Sequence, residues 1–170
     1  MMKTFYFGGQ FNFMYKDFSI ENLKNDYRSK ILGDYNLWIN KPDSSAINVS
    51  NNIQYVGPFY FTGNKDSESI VKFESSCIEK ASDCVFVLSN KSAPGTITEI
   101  IQSIFLKKNI HIFYEKNNVP EDEVSTKIKN DLWYALIFAQ QNSSNVEIFG
   151  FETYDLAVNS CVNWFKSIKL

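Results

Sequence analysis

The chain has 170 residues, of which 44% are hydrophobic and 21% charged, values typical of one globular domain. Its net charge is −2 and it has no long basic run, which argues against a nucleic-acid partner and against attachment to a membrane surface through basic residues. The single histidine excludes a histidine-rich zinc site, the three widely spaced cysteines are interpreted as buried thiols, and we predict no metal and no cofactor.

The N-terminal part of the chain is predicted to form one strand and one helix. Thr4–Phe7 has the pattern of a short buried strand, and Gly8 and Gly9 follow it where the backbone turns sharply or approaches another group closely. Asp17–Ile31 is predicted to be a helix that ends at Gly33. The first residues lack a cleavable signal pattern, so we expect a cytoplasmic protein.

The next part is predicted to hold a loop, a strand and a helix. Residues 34–52 are polar and rich in Asn and Ser, which indicates an irregular loop with, at most, a short strand at Leu37–Ile39. Ile53–Val56 is predicted to be the second strand, closed by Gly57. A helix is predicted over Ser67–Ala81, because apolar residues recur there at spacings of three and four: Ile70, Phe73, Cys77 and Ala81.

The middle of the chain contains the strongest strand pattern. Cys84–Leu88 is a continuous apolar run, typical of a central parallel strand that is covered on both faces. The helix after it is predicted from an apolar stripe formed by Ile97, Ile100, Ile101 and Ile104. Ile110–Tyr114 is predicted to be the fourth strand.

The C-terminal part is predicted to contain a helix at Val124–Ala139, a fifth strand at Val146–Phe149 and a last helix at Thr153–Ile168. Within the first of these helices, Asp131–Phe138 is apolar almost all round, which indicates a subunit interface or deep burial in one subunit. The apolar run Leu132–Ala139 is too short to span a bilayer.

The alternation of strands and helices predicts an α/β fold in one domain over residues 1–170. We expect a flavodoxin-like, doubly wound, five-stranded parallel sheet of order 2-1-3-4-5 with right-handed crossovers. Ligands of such sheets bind beyond the carboxyl ends of the strands, where the winding direction reverses. That place lies between strands one and three, where Gly8 and Gly9 meet the loop that ends in Gly95 and Thr96.

Glu99 is the candidate catalytic residue at this crevice. It is predicted to lie on the first turn of the helix after Gly95, where the helix N-terminus favours a charged carboxylate. An ionised carboxylate beside a ligand can attack a sugar carbon. Alternatively, Thr96 and Glu99 fit a capping box, in which the two side chains bind the free amide groups of the helix start.

Four segments resemble the nucleoside 2-deoxyribosyltransferase family in the same order along the chain: Tyr6–Gly9, Val56–Phe59, Ala81–Leu88 and Pro94–Glu99. The resemblance implies a flavodoxin-like homo-oligomer whose partner is a small-molecule nucleoside or nucleotide. It implies cleavage of the N-glycosidic bond, with transfer of the sugar to another base or to water. Such cleavage passes through an oxocarbenium-like state that a carboxylate stabilises.

The resemblance also implies roles for individual residues. Glu99 would be the nucleophile at C1′, and Tyr6 would position it through a hydrogen bond. The residues that would line the sugar or phosphate end are Gly8, Gly9, Gly95 and Thr96. Further candidates for contact with the base or a phosphate are Gln10, Phe11, Phe13, Lys91 and Ser92, with core packing as the alternative for the two phenylalanines.

The chain departs from the family pattern at two acidic positions. The position in the loop before Gly95 is taken by Ser92 or Ala93. On the helix before the third strand, counting from two landmarks gives either Ser75 or Glu74. Glu74 is therefore the candidate acid that protonates the departing base, with a solvated helix carboxylate as the alternative.

Two further polar residues lie outside this pattern, and two other functions stay open. Asp83 opens the third strand, where a capping or turn role is favoured over chemistry, and His111 opens the fourth strand with no evident acidic partner. The departures from the family pattern favour a hydrolase over a transferase, and they leave open a non-catalytic module that binds a nucleotide or an ADP-ribose-type ligand. A flavodoxin-like electron carrier is the third hypothesis, although the first loop lacks the Ser/Thr-rich phosphate cradle of a flavin site.

Overall fold

A computed structural model describes residues 2–9, 19–39, 46–60, 67–89, 93–116 and 132–168. The strands in these ranges are β1 (Lys3–Gly9), β2 (Ile47–Ser50), β3 (Ile53–Gly57), β4 (Asp83–Leu88), β5 (Asn109–Glu115) and β6 (Val146–Phe151). The α-helices are α1 (Ile20–Asn25), α2 (Tyr27–Leu32), α3 (Ser67–Lys80), α4 (Pro94–Phe105), α5 (Leu132–Asn142) and α6 (Tyr154–Ile168).

The strands form one sheet in the order β2-β3-β1-β4-β5-β6. All neighbouring strands are parallel except β2 and β3, which form an antiparallel pair. The five parallel strands follow the predicted order 2-1-3-4-5, so the predicted α/β, flavodoxin-like fold class is confirmed. The edge strand β2 was not predicted, because its two apolar residues, Ile47 and Val49, alternate with polar ones inside a polar segment.

Helices cover both faces of this sheet. α3 packs against α4, and α4 against α5, on one face, while α2 packs against α6 on the other. Every residue of β4 is buried, as its apolar sequence predicts. The ring of Phe165 on α6 lies edge-on to Phe5 and Phe7 of β1, with centroids 5.3 and 5.1 Å apart. These contacts fix β1 in the centre of the domain, because aromatic side chains bury large apolar areas.

Several local predictions need correction. The predicted helix Asp17–Ile31 is two short helices, because the Asp26 side chain accepts a hydrogen bond from the Arg28 amide and starts a new helix there. Gly33 ends the second helix in a left-handed conformation, as predicted. The short strand at 37–39 is replaced by a 3-10 turn at Tyr35–Leu37, and Ile39 forms only one bridge, to Tyr60.

One expectation on a helix face changes, and one predicted helix is seen only in part. Ile70, expected to face the core from α3, is 36% exposed. The predicted helix Val124–Ala139 is seen from Leu132, since residues 117–131 lie outside the described part of the chain.

In the described ranges, no helix combines the length and the apolar character that a membrane crossing requires.

Candidate active site

The ends of β1 and β4 lie side by side in the sheet. Gly8 pairs with Phe86 and Gly9 with Val87, so both glycines belong to strand β1. Of the two alternatives predicted for these glycines, a sharp turn directly after Phe7 does not occur. Since β3 pairs with one edge of β1 and β4 with the other, the winding direction of the sheet reverses here, as the predicted strand order requires.

Both glycines occupy positions that a larger residue would not fit. A β-carbon on Gly8 would lie 2.5 Å from the Phe86 ring and 2.7 Å from Oε2 of Glu99. Gly9 has a φ of +133°, and a β-carbon there would lie 2.4 Å from the Val87 carbonyl oxygen. The expected close approach to another group is thus confirmed, and at Gly8 that group is the Glu99 carboxyl.

Glu99 reaches this point from the second turn of α4, one turn later than predicted. The helix begins at Pro94, with Ala93 as its N-cap and no side-chain capping bond. Proline suits the first helical position, where its missing N–H has no partner to lose. Thr96 is therefore already inside the helix, and the capping box between Thr96 and Glu99 does not form.

One carboxyl oxygen of Glu99, Oε2, is buried and has no polar contact with the described residues. Although part of the side chain is exposed, Oε2 is buried and makes no hydrogen bond with any described residue. Burial and the charge of Glu74 raise the pKa of Glu99 to about 8, against the opposing effects of the Tyr6 hydroxyl and the Arg28 charge. The charged state expected from the helix N-terminus is therefore outweighed near neutral pH.

Tyr6 lies beside Glu99 and is fully buried on β1. Its hydroxyl lowers the pKa of Glu99 as a hydrogen-bond donor does, but it makes no hydrogen bond of ordinary length with any described group. The hydrogen bond to Glu99 that the resemblance implies therefore stays a prediction. Burial, followed by the charges of Glu99 and Glu74, raises the pKa of Tyr6, so its phenol stays a neutral donor. A buried polar atom without a partner costs about 1–3 kcal/mol.

Glu74 on α3 is a second carboxyl whose charge acts on Glu99. Of the two positions left open by counting, Glu74 is the one whose charge acts on Glu99, whereas Ser75 lines a cleft of about 570 Å³ along the exposed face of α3. Burial raises the pKa of Glu74, and the charge of Arg28 lowers it. Two carboxyl groups in one site titrate as a pair, so that one proton is shared between them over a range of pH.

Arg28 on α2 was not predicted as a site residue, although its charge acts on Glu99, Glu74 and Tyr6. Its side chain is fully buried and forms an ion pair with Asp26 at 3.0 Å. The sequence does contain one signal, since Arg28 is its only arginine and every other strongly basic residue is lysine. Arginine is the preferred cation for a buried position that needs several fixed donors.

The remaining predicted substrate contacts are placed only in part. Gly95 and Thr96 lie in the first turn of α4, where Gly95 faces open space and Thr96 is buried. Gln10, Phe11 and Ser92 lie outside the described residues, as do Phe13 and Lys91. Among the residues that are described, no cluster of three or more His, Cys, Asp or Glu side chains could hold a metal ion.

Asp83 and His111 lie at the amino ends of the strands, away from this site. Nδ1 of His111 is 2.8 Å from Oε2 of Glu147, and its Nε2 is 3.4 Å from Oδ1 of Asp83, so the expectation of no acidic partner is wrong. Both carboxylates lie on the strands that pair with β5, so their approach to His111 depends on the register of the sheet and could not be predicted from spacing along the sequence. Asp83 caps no helix, since α3 ends at Lys80; its carboxylate accepts a hydrogen bond from Ser82 at 2.7 Å.

Comparison with known proteins gives a distant likeness in fold. No protein-family model and no curated protein matches the chain. Among solved structures, the CMP N-glycosidase BcmB of Clostridium botulinum is similar, with 9% sequence identity, a TM-score of 0.49 and coverage of 95% of this chain and 99% of that one. This likeness assigns no residue and no reaction to the chain.

Proposed function

We propose that the protein cleaves the N-glycosidic bond of a nucleoside or nucleotide, with Glu99 attacking C1′ of the sugar. The observation that carries the proposal is the buried Oε2 of Glu99 at the end of β1, beside the Tyr6 hydroxyl, since neither atom makes a hydrogen bond with any residue that the structure describes. The nearby carboxyl of Glu74 offers the second acidic group that the chemistry needs. The resemblance of four sequence segments to the nucleoside 2-deoxyribosyltransferase family favours a nucleoside over other glycosides.

In the proposed reaction one carboxyl group is the nucleophile and the other is the acid. A Glu99 oxygen forms a bond to C1′ while the C–N bond breaks, and the bonding electron pair leaves with the base. The base takes a proton from Glu74 as it departs. Water or a second base then attacks C1′ and releases Glu99, and Glu74 recovers a proton from the attacking molecule.

The proton balance of the pair sets a condition on this mechanism. Glu99 attacks only when it is ionised, whereas its pKa of about 8 leaves it mostly protonated at neutral pH. Positive charge that develops on the sugar ring favours ionised Glu99 with the shared proton on Glu74. The Tyr6 hydroxyl and the Arg28 charge act in the same direction, because both lower the pKa of Glu99.

Release of free base tests the proposal directly. The protein is incubated separately with each ribo- and deoxyribonucleoside and its 5′-monophosphate, and the products are separated by chromatography. We expect free base from at least one of them, and none from the Glu99→Gln protein. Glu79→Gln, on the exposed face of α3, is the matched control and should retain activity. Equal release by the Glu99→Gln protein, or no release from any compound, would reject the proposal.

A non-catalytic binding module is the second candidate, and the raised pKa of Glu99 favours it. A neutral carboxylic acid donates a hydrogen bond to a ligand, and it is a poor nucleophile. Thermal stabilisation by a nucleotide or by ADP-ribose, with no base released and with binding that survives Glu99→Gln, would support this function over the enzyme.

An apolar surface on α4 and α5 supports the predicted homo-oligomer. Phe105 is 72% exposed, Tyr134 58% and Ile137 43%, and the ring of Phe138 lies 6.5 Å from that of Phe105. Contiguous exposed apolar side chains are typical of association surfaces. Light scattering should therefore give a mass above that of one chain, and Phe105→Asp should reduce it.

A further inference from the structure

Arg28 makes an unusual set of contacts with the end of β1. Its Nε donates to the Phe7 carbonyl at 2.8 Å, and its Nη2 donates to the Gly9 carbonyl at 3.0 Å. Nη1 contacts both carboxylate oxygens of Asp26, at 3.2 and 3.0 Å. A buried charge is tolerated only when it is paired and hydrogen-bonded, and here two of the three donor groups serve the backbone on either side of Gly8.

Tyr27, which precedes Arg28 on α2, also donates a hydrogen bond to β1. The Tyr27 hydroxyl donates to the Gly8 carbonyl at 2.5 Å, so three successive carbonyls of β1 accept hydrogen bonds from two adjacent side chains. β1 pairs with β3 only as far as Tyr6, but it continues to Gly9. Side chains of α2 thus hold the part of β1 that extends beyond its pairing with β3.

The held segment is the one that contacts Glu99. A β-carbon on Gly8 would lie 2.7 Å from Oε2 of Glu99, so the position of Gly8 sets how closely the carboxyl can approach the end of β1. The guanidinium of Arg28 lies against two aromatic rings as well, with its central carbon 4.7 Å from the Tyr27 centroid and 5.6 Å from that of Trp38. These contacts leave the guanidinium little freedom to move.

We propose that Arg28 is a positioning residue for Glu99: its guanidinium, bound to the Phe7 and Gly9 carbonyls, fixes the end of β1 against the Glu99 carboxyl and thereby sets the surroundings in which that carboxyl titrates. The catalytic consequence rests on the proposed function, whereas the effect on the titration of Glu99 does not. The charge of Arg28 lowers the pKa of both carboxyl groups, which agrees with this role.

The test measures the Glu99 titration and the kinetics in parallel. The side-chain carbons of ¹³C-labelled glutamate are followed by NMR against pH, and Glu99 is assigned from the signal missing in Glu99→Gln. Arg28→Met should raise the titration midpoint of Glu99 by about one pH unit, because the stabilising charge is lost. Asp26→Asn, which removes the countercharge and keeps Arg28, should lower it. Lys30→Met removes an exposed charge from the same helix, and it should leave the midpoint unchanged.

Arg28→Lys separates position from charge. Lysine keeps the charge but not the planar fork, so we expect a smaller change in the midpoint, together with a fall in kcat of about a hundredfold and a KM within a factor of a few. A Glu99 midpoint that is the same in the wild type, Arg28→Lys and Asp26→Asn would overturn the proposal, even if Arg28→Met fails to fold. If no substrate is found, the proposed function fails, but the NMR titration still decides the role of Arg28.

Discussion

Gly8 and Glu99 lie against each other at the centre of the fold, since a β-carbon on Gly8 would stand 2.7 Å from Oε2 of Glu99. The contact joins the penultimate residue of β1 to the second turn of α4. A carboxyl carried by a helix is thereby brought to the place where the sheet reverses its winding. The absence of a side chain at Gly8 is what allows the carboxyl to occupy that place.

Gly8→Ala should therefore damage both stability and activity. The added methyl group overlaps the Phe86 ring and the Glu99 carboxyl, and overpacking of this kind costs about 1–3 kcal/mol. We expect lower stability in urea unfolding and a loss of base release of about a hundredfold, because Glu99 is displaced.

Gly95→Ala is the matched control for stability. No atom lies within 4 Å of a β-carbon at Gly95, and the residue is in the first turn of α4. Alanine in a helix is more favourable than glycine by about 0.5–1 kcal/mol, so this protein should be at least as stable as the wild type. A Gly8→Ala protein with unchanged unfolding and unchanged activity would contradict the contact.

The pH profile of base release should depend on Glu74. The reactive state carries one proton on the Glu74–Glu99 pair, and the pKa of about 8, raised by burial first and by the charge of Glu74 second, marks the loss of that proton. The value of kcat/KM should therefore fall as pH rises through about 8. In Glu74→Gln the pair no longer shares a proton, so kcat/KM should instead rise as Glu99 ionises, to a lower maximum for lack of the acid. A falling limb at the same pH in both proteins would show that the two carboxyl groups are not coupled.

The same raised pKa predicts how stability changes with pH. Folded Glu99 keeps its proton up to about pH 8, whereas an unfolded chain releases it near the ordinary value of 4.5. Between these values the folded state binds more protons, so the contribution of Glu99 to stability falls as pH rises. Glu99→Gln, which is always neutral, should be more stable than the wild type at about pH 9, and the gap should close towards about pH 5. Thermal melts across this range would refute the prediction if the gap were constant.

Two tyrosines of the core should respond differently to the loss of their hydroxyl groups. The Tyr6 hydroxyl has no partner among the described residues, whereas the Tyr55 hydroxyl donates to the Pro58 carbonyl. Tyr6→Phe should leave stability unchanged or raise it by about 1 kcal/mol, but it should lower kcat because ionised Glu99 loses a donor. Tyr55→Phe should cost about 1 kcal/mol of stability and leave kcat unchanged. Urea unfolding and base release measure both effects, and a destabilised Tyr6→Phe protein would mean that its hydroxyl has a partner.

The place of the site was predictable because it depends on strand order. The glycines after the first apolar run and the helix after the most apolar strand were expected to meet, and Gly8 and Glu99 do so. The chemical state of Glu99 was not predictable, because its burial and the approach of Glu74 come from the packing of α3, α4 and β1. The capping-box pattern at Thr96 and Glu99 predicts a helix that begins at Ile97, but the helix begins three residues earlier, at Pro94.

Contacts between distant parts of the chain account for the other failures. Arg28 donates to the carbonyl of Gly9, a residue 19 positions away. Because every residue has a backbone carbonyl, the sequence does not indicate which one a side chain will bind. His111 finds Asp83 and Glu147 on the strands at either side, which only the register of the sheet brings together. Periodicity predicts which face of an element is buried, but it does not predict which polar groups meet there.

Covalent capture of the sugar on Glu99 is the most direct measurement of the proposed chemistry. A nucleoside or nucleotide that yields free base is replaced by its 2′-deoxy-2′-fluoro analogue, whose electron-poor sugar slows the second step, and the protein is digested for mass spectrometry. The proposal predicts that the peptide containing Glu99 gains the mass of the fluorinated sugar and that the Glu99→Gln peptide does not. Base released at an undiminished rate by Glu99→Gln, with the sugar bound to another residue or to none, would contradict it.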